Sequence, residues 1–319
     1  MFRKWLALPL GTVAGLAELL LLGVTPAIAT LQVDVVPVWP ASGAVGDLIP
    51  VSVLFVNASS PPNDTESVRF DKILVTPACA QGFAAPCPIG DDDPDVFKVP
   101  VATGDPQTPA CASVMFTVGV PDPVTGEVGL DPHSTIDLGS VSGNVNLSCQ
   151  VNITMRVFRV PTNPAAGPAV TTDPLTRVIF FGLATQQLVS AHNSTQITVH
   201  KGSVALGSRS KPGTNNVAPG TAVVDLAKVV SPAEGIPLTG SVRFILCHPS
   251  EVTKNGCPGG TGRKVGSGKP LVNGAATSDP TIGTNALGKY CWRARYLGDA
   301  NYRPKNHTDP TAECFTRKP

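Results

Sequence analysis

Hydrophobic and polar residues alternate over short intervals in this chain, most cleanly near its C-terminal end. In Gly288–Tyr302, G-K-Y-C-W-R-A-R-Y-L-G-D-A-N-Y, residues Tyr290, Trp292, Ala294 and Tyr296 share one parity. Cys291, Arg293 and Arg295 share the other. A period of two puts neighbouring side chains on opposite faces of a strand, so the bulky set predicts a core face and the charged set a wet one. Gly298-Asp299 then supplies turn residues. The same rule predicts strands around Val51, Val53 and Phe55, and around Val114, Phe116 and Val118. It also predicts one along Val145, Leu147, Cys149, Val151, Ile153, Met155 and Val157, where every intervening residue from Asn146 to Arg156 is polar. So long and one-sided a strand crosses a whole sheet with one face in water.

Further strands are expected at Gln196–Val199, Thr221–Val230, Pro270–Thr277 and Glu313–Thr316. Another follows the turn Pro237-Leu238-Thr239-Gly240, where Val242, Phe244 and Leu246 alternate with Arg243 and Ile245. Pro and Gly punctuate the intervals, as in Pro61-Pro62-Asn63-Asp64 and Pro121-Asp122-Pro123, and no helical period survives beyond the N-terminal segment. Many short strands with such turns predict an all-β fold built as two β-sandwich domains.

Charge supports the division into two. Overall the chain carries a formal +1. From Thr30 to His200, however, six Lys and Arg face fifteen Asp and Glu, a net −9; from Lys201 to Pro319, sixteen face seven, a net +9. The sign changes where a Gly/Ser/Pro/Asn-rich stretch, Gly202 to Gly220, begins. We therefore expect an acidic β-sandwich over residues 30–200 and a basic domain over 201–319, whose length suits an immunoglobulin-like sandwich of about seven strands.

The first 29 residues read as a signal peptide. Arg3 and Lys4 precede an apolar run from Trp5 to Val24, and Ala27-Ile28-Ala29 is a small-residue cleavage pattern. Glu18 within the run argues against a retained anchor. The mature chain is expected to be secreted or to reside at the cell surface or in the periplasm, with no transmembrane segment. All eight cysteines follow this segment: Cys79, Cys87, Cys111, Cys149, Cys247, Cys257, Cys291 and Cys314. An even number in an exported chain reads as disulfides, and without a C-x-x-C pair or a histidine cluster zinc is not expected. By phase, Cys247 and Cys291 point away from the core and should pair with nearby loops or an adjacent strand.

Candidate chemistry is sparse. There is no G-x-S-x-G and no H-E-x-x-H, and His133, His192, His200, His248 and His307 are scattered. Gly266-Ser267-Gly268-Lys269 is followed by Pro270 where a phosphate loop needs Ser or Thr, so no nucleotide is expected. Asp91, Asp92, Asp93 and Asp95 form a weak calcium candidate, because hard cations favour clustered carboxylates. The run lacks the ligand spacing of a calcium loop, contains Pro94, and reads better as a solvated turn. Ile236-Pro237-Leu238-Thr239-Gly240 mimics a cell-wall sorting signal but runs straight into a strand. The sequons at Asn57, Asn63, Asn146, Asn152, Asn193 and Asn306 carry no functional weight.

Several segments resemble bacterial immunoglobulin-like repeat domains of secreted and surface proteins. They are Gly240-Ser241-Val242-Arg243-Phe244-Ile245-Leu246-Cys247, Cys257, Gly288–Tyr302 and Glu313-Cys314-Phe315-Thr316, and the resemblance covers Lys201 to Pro319. The family pattern implies Cys247–Cys257 and Cys291–Cys314 bridges. Pro77-Ala78-Cys79, Cys111 to Val118, and Cys149 through Val160-Pro161-Thr162 resemble an uncharacterised extracellular module that precedes such repeats. There we expect Cys79–Cys87 and Cys111–Cys149, with no bridge between domains.

These readings predict a non-catalytic structural, adhesive or binding protein of the bacterial surface or extracellular space, with no cofactor. The alternatives are a secreted hydrolase with a spatially assembled site and a calcium-stabilised surface module. The charge split names no partner: anionic envelope polymers and self-association through the oppositely charged halves are the candidates, and the alternative is two solvated faces with no associative role. N-terminal sequencing of the exported protein should read from Thr30; a sequence that still contains Trp5 would show an uncleaved leader.

Overall fold

The computed structural model describes residues 31–319 except 62, 81–96, 105–106, 113, 121–127, 161–168, 185, 187, 214–215, 233–234, 237 and 282–284. The expected signal peptide, Cys87 and the acidic run containing Asp91, Asp92, Asp93 and Asp95 lie outside the described residues, as does the side chain of Cys79. Strands carry the fold; the helical turns among the described residues are two short 3-10 pieces at Asn63–Thr65 and Pro109–Cys111.

The first half contains β1 (Val33–Val38), β2 (Ser42–Ala44), β3 (Leu48–Asn57), β4 (Val68–Ala80), β5 (Phe97–Gly104) and β6 (Phe116–Val118). It continues with β7 (Val128–Pro132), β8 (Asp137–Leu138), β9 (Ser148–Val157), β10 (Ala169–Gly182), β11 (Leu188–Ser194) and β12 (Ile197–His200). One sheet runs β1-β3-β9-β5; the other runs β2-β12-β10-β4-β7-β6, with β11 on β10 and β8 on β4. Strand β9 alternates as expected: Cys149, Val151, Ile153, Met155 and Val157 are all buried, and their neighbours are half-buried. Val145 precedes the strand and is exposed. Facing β3 and β9 across the core are Phe70, Ile73, Leu130, Phe180 and Val199. Phe55 meets Phe70 edge to face at 5.0 Å, a geometry favoured by the ring quadrupoles. A Cys111–Cys149 disulfide ties the second 3-10 turn to β9.

The second half contains β13 (Ala205–Lys211), β14 (Val224–Val230), β15 (Ser241–Cys247), β16 (Arg263–Lys264), β17 (Lys269–Pro270), β18 (Ala275–Thr277), β19 (Gly288–Tyr296), β20 (Lys305–His307) and β21 (Cys314–Arg317). A three-stranded sheet, β13-β14-β18, packs on a second sheet, β16-β15-β19-β20, in which β17 joins β15 and β21 joins β19. This is the two-sheet arrangement of an immunoglobulin-like sandwich. Val223, Ala227 and Val229 meet Val242, Phe244 and Leu246, and Tyr290, Trp292, Ala294 and Tyr296 complete the core, all fully buried or nearly so. Two details differ from the sequence reading. Pro270–Thr277 is two short strands around a turn with Asn273 and Gly274 at positive φ. Strand β13 lies inside the Gly/Ser/Pro/Asn-rich stretch.

The turn at Gly298-Asp299 does more than end β19. The Asp299 carboxylate accepts from the Thr239 amide (3.0 Å) and hydroxyl (2.9 Å), and from the amides of Asn301 (2.8 Å) and Tyr302 (2.8 Å). Burial works against its charge, but these donors hold its carboxyl below the ordinary range. The turn so fixed clasps the first half. Asn301 Oδ1 accepts from the Val160 amide at 3.0 Å and its carbonyl from Gly202 at 2.9 Å, while Gly202 accepts from Arg303 at 2.9 Å. Lys201 Nζ donates to the Asp299 carbonyl at 2.5 Å. A side chain at Gly202 would come within 2.2 Å of the Val45 carbonyl, so only glycine permits this approach. Replacing Asp299 with Ala should therefore cost about 2–3 kcal/mol in denaturant unfolding, and Asp299→Asn less. Equal stability of all three chains would show that the clasp carries no weight.

Candidate functional site

On β13, Leu206, Ser208 and Ser210 point into the sandwich. Ser208 there meets Asp225 of β14, His307 at the end of β20 and Glu313 just before β21. Asp225 and Glu313 are both fully buried. The Ser208 hydroxyl donates to Glu313 Oε1, and the Asp309 amide donates to Oε2 at 2.5 Å. His307 Nδ1 lies 3.2 Å from Glu313 Oε1 and 3.3 Å from Ser208 Oγ. Neither carboxylate oxygen of Asp225 has a hydrogen-bond partner. Burial, then the charge of Glu313, pushes the Asp225 carboxyl up to about 8, tempered by the nearby Ser208 hydroxyl and Leu226 amide. Burial also raises Glu313, against the lowering effect of Ser208 and His307. The sequence did carry a signal for this cluster: Asp225 is in phase with Val223, Ala227 and Val229.

A serine, a histidine and an acid together invite comparison with a hydrolase relay. The wiring differs. A relay needs the nucleophile on one ring nitrogen and the acid on the other, whereas Ser208 and Glu313 both meet Nδ1 of His307. Ser208 borders a groove on the outer face of this sheet, but its hydroxyl is turned inward onto Glu313, which is fully buried. Elsewhere, His133 bonds the Thr117 hydroxyl at 2.6 Å and His248 packs edge-on against Tyr290 at 5.3 Å. Among the described residues no group of three or more His, Cys, Asp or Glu is placed to hold a metal ion.

The second feature lies on the outer face of β15 and β19. Cys247–Cys257 and Cys291–Cys314 are disulfide-bonded, and with Ile245 and Val252 they form a small apolar cluster separate from the main core. Cys247 and Cys291 thus point away from the core, as their phase required, yet both are fully buried. The segment after β15 folds over them. Arg293 anchors it, donating to the carbonyls of Pro258 and, at 3.1 Å, Thr261. Gly262, at φ +81°, sits where a Cβ would lie 2.6 Å from Ile245 Cγ2, so the segment passes close only because no side chain intervenes. Beyond it opens a cleft of about 430 Å³ lined by Arg243, Lys264, Arg293 and Arg295, with Asn306, Thr308 and three glycines between. Arg243 and Arg295 are direct cross-strand partners. No carboxylate lines the cleft. Burial, then Arg295, lowers the affinity of Arg293 for its proton. A shallower groove of about 660 Å³ crosses the outer face of β13-β14-β18, where Ala205, Gly207, Leu226 and Ala275 lie beside Arg209 and Lys228.

No family model and no curated protein matches this chain. Among solved structures, it is similar to a cohesin module from a Clostridium perfringens family 33 glycoside hydrolase, at 7% identity over 54% of this chain and 100% of that one, TM-score 0.32. It is similar to the Yersinia pseudotuberculosis adhesin InvE at 11% identity over 90% of this chain and 59% of that one, TM-score 0.28. For the Escherichia coli adhesin FdeC the values are 13%, 88%, 65% and 0.27. Superpositions this loose do not distinguish one β-sandwich from another.

The buried acids set a pH dependence. An Asp held at about 8 in the fold and near 3.9 when unfolded binds its proton more tightly when folded. Its site is least costly below pH 4, and stability falls as pH rises from there toward 8. Glu313 acts in the same direction, whereas Asp299 and Asp309, held below the usual range, lose stability only under more acid conditions. Urea unfolding between pH 5 and 8 should show a loss of up to about 1.4 kcal/mol per pH unit. Asp225→Asn should flatten it and be the more stable chain at pH 8. An unchanged slope in that variant would exclude Asp225 as its source.

Proposed function

We propose that this chain is an exported, non-catalytic protein with a structural, adhesive or binding role at the bacterial surface or in the extracellular space. In this reading an acidic sandwich over residues 30–200 is followed by a basic bacterial immunoglobulin-like repeat domain over 201–319. The observation that carries it is the wiring of the Ser208–His307–Glu313 group. The Ser–His–acid grouping is wired through one ring nitrogen, with the serine hydroxyl donated to the fully buried acid, so it serves packing and not turnover. The export pattern at Arg3 to Ala29 and the disulfides favour an oxidising location. The clasp at Asp299 and Asn301 favours a protein that keeps its two halves in fixed relation, as a surface spacer or adhesive module requires.

The test is a paired assay on the purified mature chain. Retention on whole cells or envelope fragments should be unaffected by Ser208→Ala, and ester, glycoside and peptide substrates should show no turnover. Hydrolysis that Ser208→Ala abolishes would restore the hydrolase reading.

A further inference from the structure

The structure assigns a second property to the outer face of β15 and β19: we propose that its cleft binds oxyanion groups carried on a polymer, whether carboxylate, sulfate or phosphate. This goes beyond the general surface role and does not depend on it. Four cations line the cleft and no acid does. Arg243 and Arg295 stand directly opposite each other across two paired strands, a placement that costs stability because like charges face one another. Folding gains nothing from that pair. An anion between the two would turn the repulsion into attraction.

The chemistry of the lining narrows the ligand. Three of the four cations are arginines, whose planar forks match the two oxygens of a carboxylate, phosphate or sulfate. Arg293 is spoken for by the Pro258 and Thr261 carbonyls, so it fixes the wall and adds charge, while Arg243, Arg295 and Lys264 remain to engage a ligand. Asn306, the cross-strand neighbour of Arg295, can serve a hydroxyl or amide beside the anion. The volume lies in the range of ordinary ligand sites. Arg243, Arg295 and Lys264 thus give one cleft three cations to share among anions. Three such cations suit the repeating charges of a chain better than one small anion. The two disulfides under the covering segment keep the site formed before any ligand arrives.

The experiment titrates the full chain with polygalacturonate, dextran sulfate and inorganic polyphosphate, with neutral dextran as control, at about 10 mM and 150 mM salt. At least one polyanion should bind at low salt and weaken as salt rises, and the three arms separate carboxylate, sulfate and phosphate sources. Arg243→Gln with Arg295→Gln should weaken binding at least about tenfold, without lowering the melting temperature, because a repulsive pair has been removed. Exposed Arg295→Gln alone, which disturbs no packing, should give an intermediate loss. Arg209→Gln with Lys228→Gln removes the same charge from the other sheet's outer face and should change binding by less than about threefold. An equal loss in that control would reduce the effect to net charge and overturn the site. So would failure of all three polyanions to bind at low salt. A dimer in sedimentation that the cleft variant disperses would also overturn the polymer assignment, giving the cleft to the acidic half of a second copy.

Discussion

One strand, β19, must work on both of its faces, and the rest of the second half is arranged around that requirement. The pleat sends Tyr290, Trp292, Ala294 and Tyr296 inward, where each is fully buried, and Cys291, Arg293 and Arg295 outward. The inward hydroxyls find acceptors at the rim: Tyr290 on the Ala286 carbonyl and Tyr296 on Thr239, each at 2.9 Å. Outward, Cys291 is bridged to Cys314 while Arg293 pins the covering segment and Arg295 faces Arg243. Core, bridge and cleft therefore share one register. A slip of a single residue would bury two arginines and expose the aromatic row, so the sequence specifies this pairing far more firmly than a one-faced strand would.

The same logic explains what was legible in the sequence. Strands β3, β9, β15 and β19 keep strict parity, and parity is what a reader can see. The long pair β4 and β10 was invisible because its register shifts. Phe180 pairs with Phe70 while the preceding Ile179 pairs with Lys72, so an extra residue changes which parity faces the core. Val68 and Phe70 are buried on one side of that shift, and Ile73 on the other. Strand β13 was hidden for another reason. Two of its inward residues are Ser208 and Ser210, whose partners Glu313 and Ala312 lie about a hundred residues away in sequence. Polar residues at core positions read as a loop until the residues that satisfy them are known. The turn Gly298-Asp299 was readable as a turn, but its grip on Val160, Lys201 and Gly202 was not, since those contacts join residues 98 to 141 positions apart.

Net charge misled in an instructive way. The second half carries +9, yet its cations do different things. Arg317 is 1% exposed, donating to the carbonyls of Ala218 and Thr221 at 2.6 and 2.7 Å and lying over the Phe315 ring. It acts as a staple for a loop and adds little to the surface field. Lys269 pairs with Asp279 at 2.6 Å. What remains concentrated is the group around Arg243, Arg295 and Lys264. Total charge bears on association in general, whereas position decides which face associates.

Two electrostatic costs sit in one small sandwich: a buried Asp225 whose burial the Ser208 hydroxyl and Leu226 amide only partly offset, and an arginine pair held face to face. Both are opposed by covalent and apolar terms in the same sandwich. The Cys247–Cys257 and Cys291–Cys314 bridges constrain the unfolded chain, and the stacked Tyr290–Phe315 rings, 5.3 Å apart, bind β19 to β21 beside them. The costs differ in what removes them. Protonation relieves Asp225 with no partner present, so that cost answers to pH. The arginine pair keeps its charge at every accessible pH, so only an added anion relieves it. A fold that tolerates the first has a pH-dependent stability; a fold that tolerates the second has a surface whose energy falls when a ligand arrives.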